Sequence, residues 1–132
     1  MTDRQLILIA EKAMQNAYAP YSGFKVGAAL LAENGAVYSG CNTENASYPA
    51  GICAERAALA AAVTAGERKF LKLAVVGGKS GIITDFCTPC GICRQALSEF
   101  GGNTEILLFD GGKIKKYRLS ELLPESFGRD SL

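Results

Sequence analysis

A chain of 132 residues with 14 basic and 13 acidic side chains suits one domain, residues 1–132, able to bury roughly two thirds of its unfolded surface without disulfides. Near-neutral charge excludes a nucleic acid polymer as partner, and the one dense basic run, Lys113, Lys115, Lys116 and Arg118, reads as the solvated side of a hairpin or edge strand. No stretch approaches the roughly 18 apolar residues of a membrane span, and MTDRQLILIAEKAM carries Glu11 and Lys12 where a secretory signal would stay apolar, so a cytoplasmic protein with no membrane partner is expected.

Residues 3–17 read as an amphipathic helix with Leu6, Ile9, Ala10, Ala13 and Ala17 on one side and Asp3 in its first turn, ending before Pro20. In VGAALLAENGAVYSGCN, residues 26–42, Asn34 and Gly35 between two apolar runs predict a hairpin of antiparallel strands. A loop rich in Asn, Ser and Pro follows. A helix then runs from about Ala54 to Ala65, closed by Gly66.

LKLAVVGG scarcely alternates in Leu71, Leu73, Ala74, Val75 and Val76, which predicts a strand over 71–77 buried on both faces. Pro89 fits the first position of the next helix, because proline lacks only a donor the helix does not use there, and Gly101 and Gly102 stop that helix. EILLFDGG supplies a strand at 105–109, and Ser120 is a suitable N-cap for a short last helix broken at Pro124. Strands 71–77 and 105–109 each follow a helix, so parallel crossovers are predicted. Together with the hairpin they make a mixed sheet with helices on its faces.

Five cysteines, an odd number, stand at positions 41, 53, 87, 90 and 93, and in a reducing compartment such spacing points to metal before disulfide. In TPCGICRQ, Cys90 and Cys93 fall in the first turn of a helix, so their sulfurs lie on one side and can share a metal at about 2.3 Å. Cys53 opens the other helix and supplies a third ligand. Three protein ligands leave a zinc ion its fourth tetrahedral position for water, the mark of a catalytic rather than a structural site. Glu55, in the first turn after Cys53, can bend over that position.

Three thiolates on one zinc ion carry net negative charge and make it a poor Lewis acid. Two helix N-termini, at roughly +0.5 each, and hydrogen bonds from Arg56 to the thiolates offset the excess. Replacing Arg56 by Gln is then expected to raise the pH at which activity appears. A closed Cys₄ structural site from Cys53, Cys87, Cys90 and Cys93 is the alternative. Pro89 argues against it, because it pushes Thr88 toward extended geometry and leaves Cys87 outside the helical turn. Cys41 reads as a small buried apolar residue.

The pair CAE at 53–55 and PCGIC at 89–93, each opening a helix and separated by a strand, resembles the cytidine deaminases of the small homotetrameric type, with a match from Tyr18 to Phe127. Polynucleotide deaminases usually carry histidine where Cys53 stands, and this chain has no histidine. The resemblance implies an α/β fold of three layers, α/β/α, with a mixed five-stranded sheet flanked by helices and the hairpin strands at one edge. It implies one Zn2+ per chain and the hydrolytic deamination of cytidine and deoxycytidine to uridine and deoxyuridine. In that scheme zinc-bound hydroxide attacks C4, and Glu55 serves as acid and base by protonating N3 and shuttling a proton to the departing ammonia.

Asn42 and Glu44 in CNTENASYP are two apart, so if the second hairpin strand reaches them both side chains lie on one face and can grip a sugar hydroxyl with donor and acceptor together. The resemblance assigns them to the ribose 3′-hydroxyl. That favours a nucleoside, and an ionised Glu44 would repel phosphate. By the same resemblance Phe24 and Phe127 stack on or pack around the pyrimidine, Phe127 from a neighbouring subunit. Ala54 meets the base through its backbone, and Tyr48 lies at a subunit boundary of a homotetramer. Alanines at 57–63 suit close packing between subunits. A relative acting on a modified cytosine nucleoside and a structural zinc-binding module are the competing functions.

Overall fold

The computed structural model describes residues 1–132. Strand β1 (Phe24–Ala32) organises it, because its side chains alternate between two apolar clusters: Ala28, Leu30 and Ala32 join one, Ala29 and Leu31 the other. A strand buried on both faces needs neighbours on both edges. β1 finds them in β2 (Val37–Cys41) and β3 (Phe70–Lys79), each antiparallel to it. Beyond β3 lies β4 (Glu105–Asp110), parallel to it, and then β5 (Lys113–Arg118), antiparallel to β4, so the order is β2-β1-β3-β4-β5. The sheet is therefore mixed and five-stranded. The basic run is the edge strand β5, whose Lys115 pairs with Asp110 at 2.9 Å and Lys116 with Asp3 at 2.8 Å.

One face of the sheet is covered by α1 (Asp3–Met14), capped by the Thr2 hydroxyl on the Gln5 amide with the Gln5 side chain returning to the Thr2 amide. Its buried residues are Leu6, Ile7, Ala10 and Met14, which pack on Ala29, Leu31, Ala74, Val76 and Leu107. This differs from the predicted stripe: Ile9 and Ala13 sit half-buried at its margin, and the helix ends at Met14 rather than at 17. The close approach of α1 to the sheet sets the rotation. A Cβ at Gly27 would lie 1.9 Å from the Ala10 carbonyl oxygen, so α1 rides on a strand position with no side chain.

The opposite face is covered by α2 (Ala54–Thr64), α3 (Gly91–Ser98) and the single turn α4 (Leu119–Leu122), which contribute Ala54, Ala58, Leu59, Ala62, Leu97 and Leu119 to the larger cluster. The alanines let α2 approach closely: a Cβ at Gly40 of β2 would meet the Ala58 amide at 2.6 Å. Helices on both faces of one sheet make the α/β/α sandwich that the resemblance implies.

Several local expectations are corrected. Pro89 is buried and precedes the N-cap of α3, which is Cys90, so it straightens the entry to the helix instead of occupying its first turn. The N-cap of α4 is Arg118, not Ser120, because β5 runs directly into the turn. β3 spans Phe70–Lys79, and Leu71 is exposed, so burial on both faces is continuous only from Leu73. Cys41 is half-buried at the end of an edge strand. The hairpin forms as predicted, with Gly35 alone at positive φ (91°) and the Asn34 side chain accepting from the Ala36 amide at 3.0 Å. No helix is long and apolar enough to cross a membrane.

Candidate active site

Both helices of the second face start at the same place. Cys53 is the N-cap of α2 and Cys90 the N-cap of α3, each extended in backbone and without a side-chain cap hydrogen bond. Sulfur thus stands where Ser or Asp oxygen usually closes a helix start, in the positive end of each peptide dipole. Cys93 lies at the third position of α3 and is fully buried.

The sulfurs of Cys53, Cys90 and Cys93 all lie within 4.8 Å of one another, and the Cys53–Cys90 pair is 3.8 Å apart. A tetrahedral ion holding thiolates at about 2.3 Å spaces them by about 3.8 Å, so the set fits zinc. The protonation chemistry agrees. Burial and then the charge of Glu55 push the Cys93 thiol well above its ordinary value, so a divalent cation is what turns this sulfur into a thiolate. Cys87 stands apart from the group and lines the neighbouring cavity; burial, and after it the charge of Glu55, pushes its thiol up to about 12. Nothing of a fourth-cysteine closure is present in this arrangement.

Arg56, three residues after Cys53 on α2, places Nη2 3.6 Å from the Cys53 sulfur. Hydrogen bonds to Cys53 and then Cys93 hold the guanidinium pKa above its ordinary value, so the positive charge is fixed against the sulfurs. Glu55 is 4 % exposed, and desolvation raises its carboxyl above the usual range against the opposing pull of its own backbone amide, Cys93 and Arg56. A carboxyl buried at a helix start beside three sulfurs is poised to exchange a proton nearer neutral pH than a surface glutamate.

A cavity of about 660 Å³ opens over this end of the sheet, walled by Cys53, Ala54, Glu55, Arg56 and Cys90 on the helix side and by Phe24, Asn42 and Glu44 on the strand side. The volume suits a nucleoside-sized molecule. Seven of the eight non-ligand residues singled out in the sequence thus meet here: Phe24, Asn42, Glu44, Tyr48, Ala54, Glu55 and Arg56. Tyr48 is 79 % exposed on the rim, its ring edge-on to Tyr21 at 6.4 Å. Phe127 is not brought to this cavity. It is 60 % exposed on the tail, whose backbone is tied to α3 where Gln95 donates to the Phe127 carbonyl at 2.9 Å.

Strand β2 ends at Cys41, so Asn42 and Glu44 are held by other means than the extension expected of it. The Asn42 amide accepts from the Val26 amide at 2.8 Å and donates to the Phe24 carbonyl at 2.9 Å. Glu44 accepts from the Tyr21 amide at 3.0 Å, the Ser22 amide at 3.1 Å and the Ser22 hydroxyl. The hydroxyl and then the amide of Ser22 hold the Glu44 carboxyl below the usual carboxylate range. Ser22, Tyr21 and Thr88 also line the cavity and were not singled out in the sequence. The turn-forming Tyr21-Ser22-Gly23 ahead of Phe24 was the available signal for the first two; Thr88 carried none.

Residues 1–108 match the family model described as "Cytidine and deoxycytidylate deaminase zinc-binding region". A cytidine deaminase of Sporosarcina psychrophila is 44% identical over 134 residues, with 100% of this chain and 96% of the relative covered. One of Mycobacterium tuberculosis is 45% identical over 123 residues, covering 93% of this chain and 87% of the relative. Among solved structures, a cytidine deaminase from Burkholderia pseudomallei aligns with a TM-score of 0.88 at 45% identity, covering 96% of this chain and 100% of the other. Two cysteine-capped helices, a buried glutamate between them and these matches along nearly the whole chain show that it belongs to the zinc-binding cytidine and deoxycytidylate deaminase family.

Proposed function

We propose that the protein hydrolytically deaminates cytidine and deoxycytidine to uridine and deoxyuridine with release of ammonia, as a step of pyrimidine salvage. The observation that carries the reading is the buried carboxyl of Glu55 beside a zinc-sized triangle of Cys53, Cys90 and Cys93 at the floor of a nucleoside-sized cavity. Zinc bound by those three thiolates supplies Lewis-acid activation of the water that replaces the amino group. Arg56 and the two helix N-termini withdraw negative charge from the sulfurs.

Glu55 does the proton work. Its carboxylate takes the first proton of the attacking water and delivers it to N3 of the pyrimidine, then takes the second from the hydroxyl now on C4 and passes it to the exocyclic nitrogen, which leaves C4 as ammonia. Burial favours the two proton uptakes, since the carboxylate gives up little solvation when it becomes neutral. Phe24 packs against the base, the Ala54 backbone meets its edge, and Asn42 and Glu44 take the ribose 3′-hydroxyl.

The whole of residues 1–132 acts as one domain, in the cytoplasm, on a free nucleoside and on neither nucleic acid polymer nor membrane. Four copies assemble. Phe127 and Tyr48, large and exposed in the single chain, then lie at subunit boundaries, Phe127 completing a neighbour's cavity. The test is the ultraviolet absorbance of cytidine incubated with zinc-loaded protein, which is expected to fall toward that of uridine. An unchanged spectrum with zinc bound would overturn the reading.

A further inference from the structure

Asn42 and Glu44, in the cavity wall on its strand side, are already largely occupied by the fold. Glu44 Oε1 accepts two amides, Tyr21 at 3.0 Å and Ser22 at 3.1 Å, which uses both of its acceptor directions. Glu44 Oε2 accepts the Ser22 hydroxyl, which leaves it one. Asn42 Nδ2 donates once, to the Phe24 carbonyl at 2.9 Å, which leaves it one N–H. Asn42 Oδ1, which accepts from the Val26 amide at 2.8 Å, also keeps one acceptor direction, so one Asn42 N–H and one acceptor direction on each of Glu44 and Asn42 remain on two cavity-lining residues, and a donor paired with an acceptor is the complement of a single hydroxyl.

Ser22 decides where the remaining acceptor direction of Glu44 points. Its one hydroxyl proton goes to Glu44, so it has none for a ligand, and its oxygen accepts from the Phe24 amide at 3.0 Å. The same side chain thus fixes the carboxylate of Glu44 and the start of the strand carrying Phe24. We infer that Ser22 is a positioning residue that presents Glu44 to one substrate hydroxyl and so sets discrimination for nucleosides bearing it. The inference rests on the proposed function and on the assignment of that hydroxyl to the ribose 3′ position.

The experiment compares steady-state kinetics of Ser22→Ala and Ser22→Thr with the parent, each zinc-loaded, on cytidine and on 3′-deoxycytidine. Ser22→Ala is expected to raise KM for cytidine about tenfold with kcat changed less than about twofold, as loss of binding common to ground and transition states does. Its KM for 3′-deoxycytidine is expected to stay close to the parent value, so the preference between the two substrates falls about tenfold. Ser22→Thr, which keeps the hydroxyl, is expected to restore that preference.

A parent enzyme that prefers cytidine together with a Ser22→Ala protein that keeps the preference, or weakens both substrates equally, would overturn the role of Ser22 and leave the function standing. A parent that deaminates cytidine with no preference for the 3′-hydroxyl would overturn the hydroxyl assignment and the inference with it. No deamination of cytidine by the parent would overturn both readings at the first step.

Discussion

The two faces of the sheet are built from different material. Under α1 the cluster is wholly apolar, with Leu6, Ile7 and Met14 seated on Ala29, Leu31, Ala74, Val76 and Leu107. Under α2 and α3 the contacts are mostly alanine and leucine, and at one end of that face the packing gives way to sulfur, a buried carboxyl and a guanidinium. One face supplies burial with no polar interruption, and the other accepts a buried charge at the place where two helices begin. A helix start brings unpaired amides and a positive dipole, so it tolerates thiolates and a carboxyl that a helix middle would not.

The contrast is broken most strongly at Glu55. Glu55→Gln is expected to lower turnover about 10³-fold, since it removes the only buried proton carrier of the cavity, while zinc measured by a chromophoric chelator stays at one per chain. Its thermal midpoint is expected to match or exceed the parent's, because a neutral amide avoids the desolvation that raises the Glu55 carboxyl. A variant as active as the parent would remove Glu55 from the chemistry.

On the α1 face the matching break is steric. Gly27→Ala places a Cβ 1.9 Å from the Ala10 carbonyl oxygen and close to the Met14 backbone, so α1 must shift bodily. Chemical denaturation is expected to show a loss of about 3 kcal/mol, with kcat per folded molecule little changed, since α1 contributes nothing to the cavity wall. Equal loss of kcat and stability would mean that the two faces are mechanically coupled.

The smallest effect sharpens the comparison at its edge. Asp3 of α1 bonds Lys116 at 2.8 Å and Lys72 at 2.6 Å, and these two hold its carboxyl below the usual range, Lys116 first. A depressed folded-state pKa means that the stabilisation is fully present above the ordinary carboxylate value, about 3.9, and is lost as pH falls below it toward the folded value. Asp3→Asn is expected to cost about 1 kcal/mol at pH 7 and less at pH 2, read from denaturation midpoints at the two pH values. An equal loss at both pH values would show that the ionised carboxylate does not carry the effect.

Much of this was legible in the chain itself. Asn34-Gly35 between apolar runs marked the hairpin, the unalternating run from Leu71 to Val76 marked a strand that is covered on both sides from Leu73 on, and cysteines at the two helix starts marked the metal centre. These signals are local: turn chemistry, periodicity and spacing are properties of a few neighbouring residues. Boundaries were read less well at Pro89 and Ser120, where the cap was set by what the preceding segment was already paired to.

What tertiary structure alone decided is the strand-side wall. Ser22 and Glu44 are 22 residues apart, and Asn42 reaches Val26 and Phe24 across a hairpin, so their hydrogen bonds exist only once β1 and the segment after β2 lie side by side. Likewise the depth of Glu55 and the 3.8 Å between Cys53 and Cys90 follow from two helices packed on one sheet, 37 residues apart in sequence. Sequence named the chemical groups because chemistry is carried by residue type. Their distances, burial and shared partners belong to the packing of the sheet, and no stretch of chain holds that information by itself.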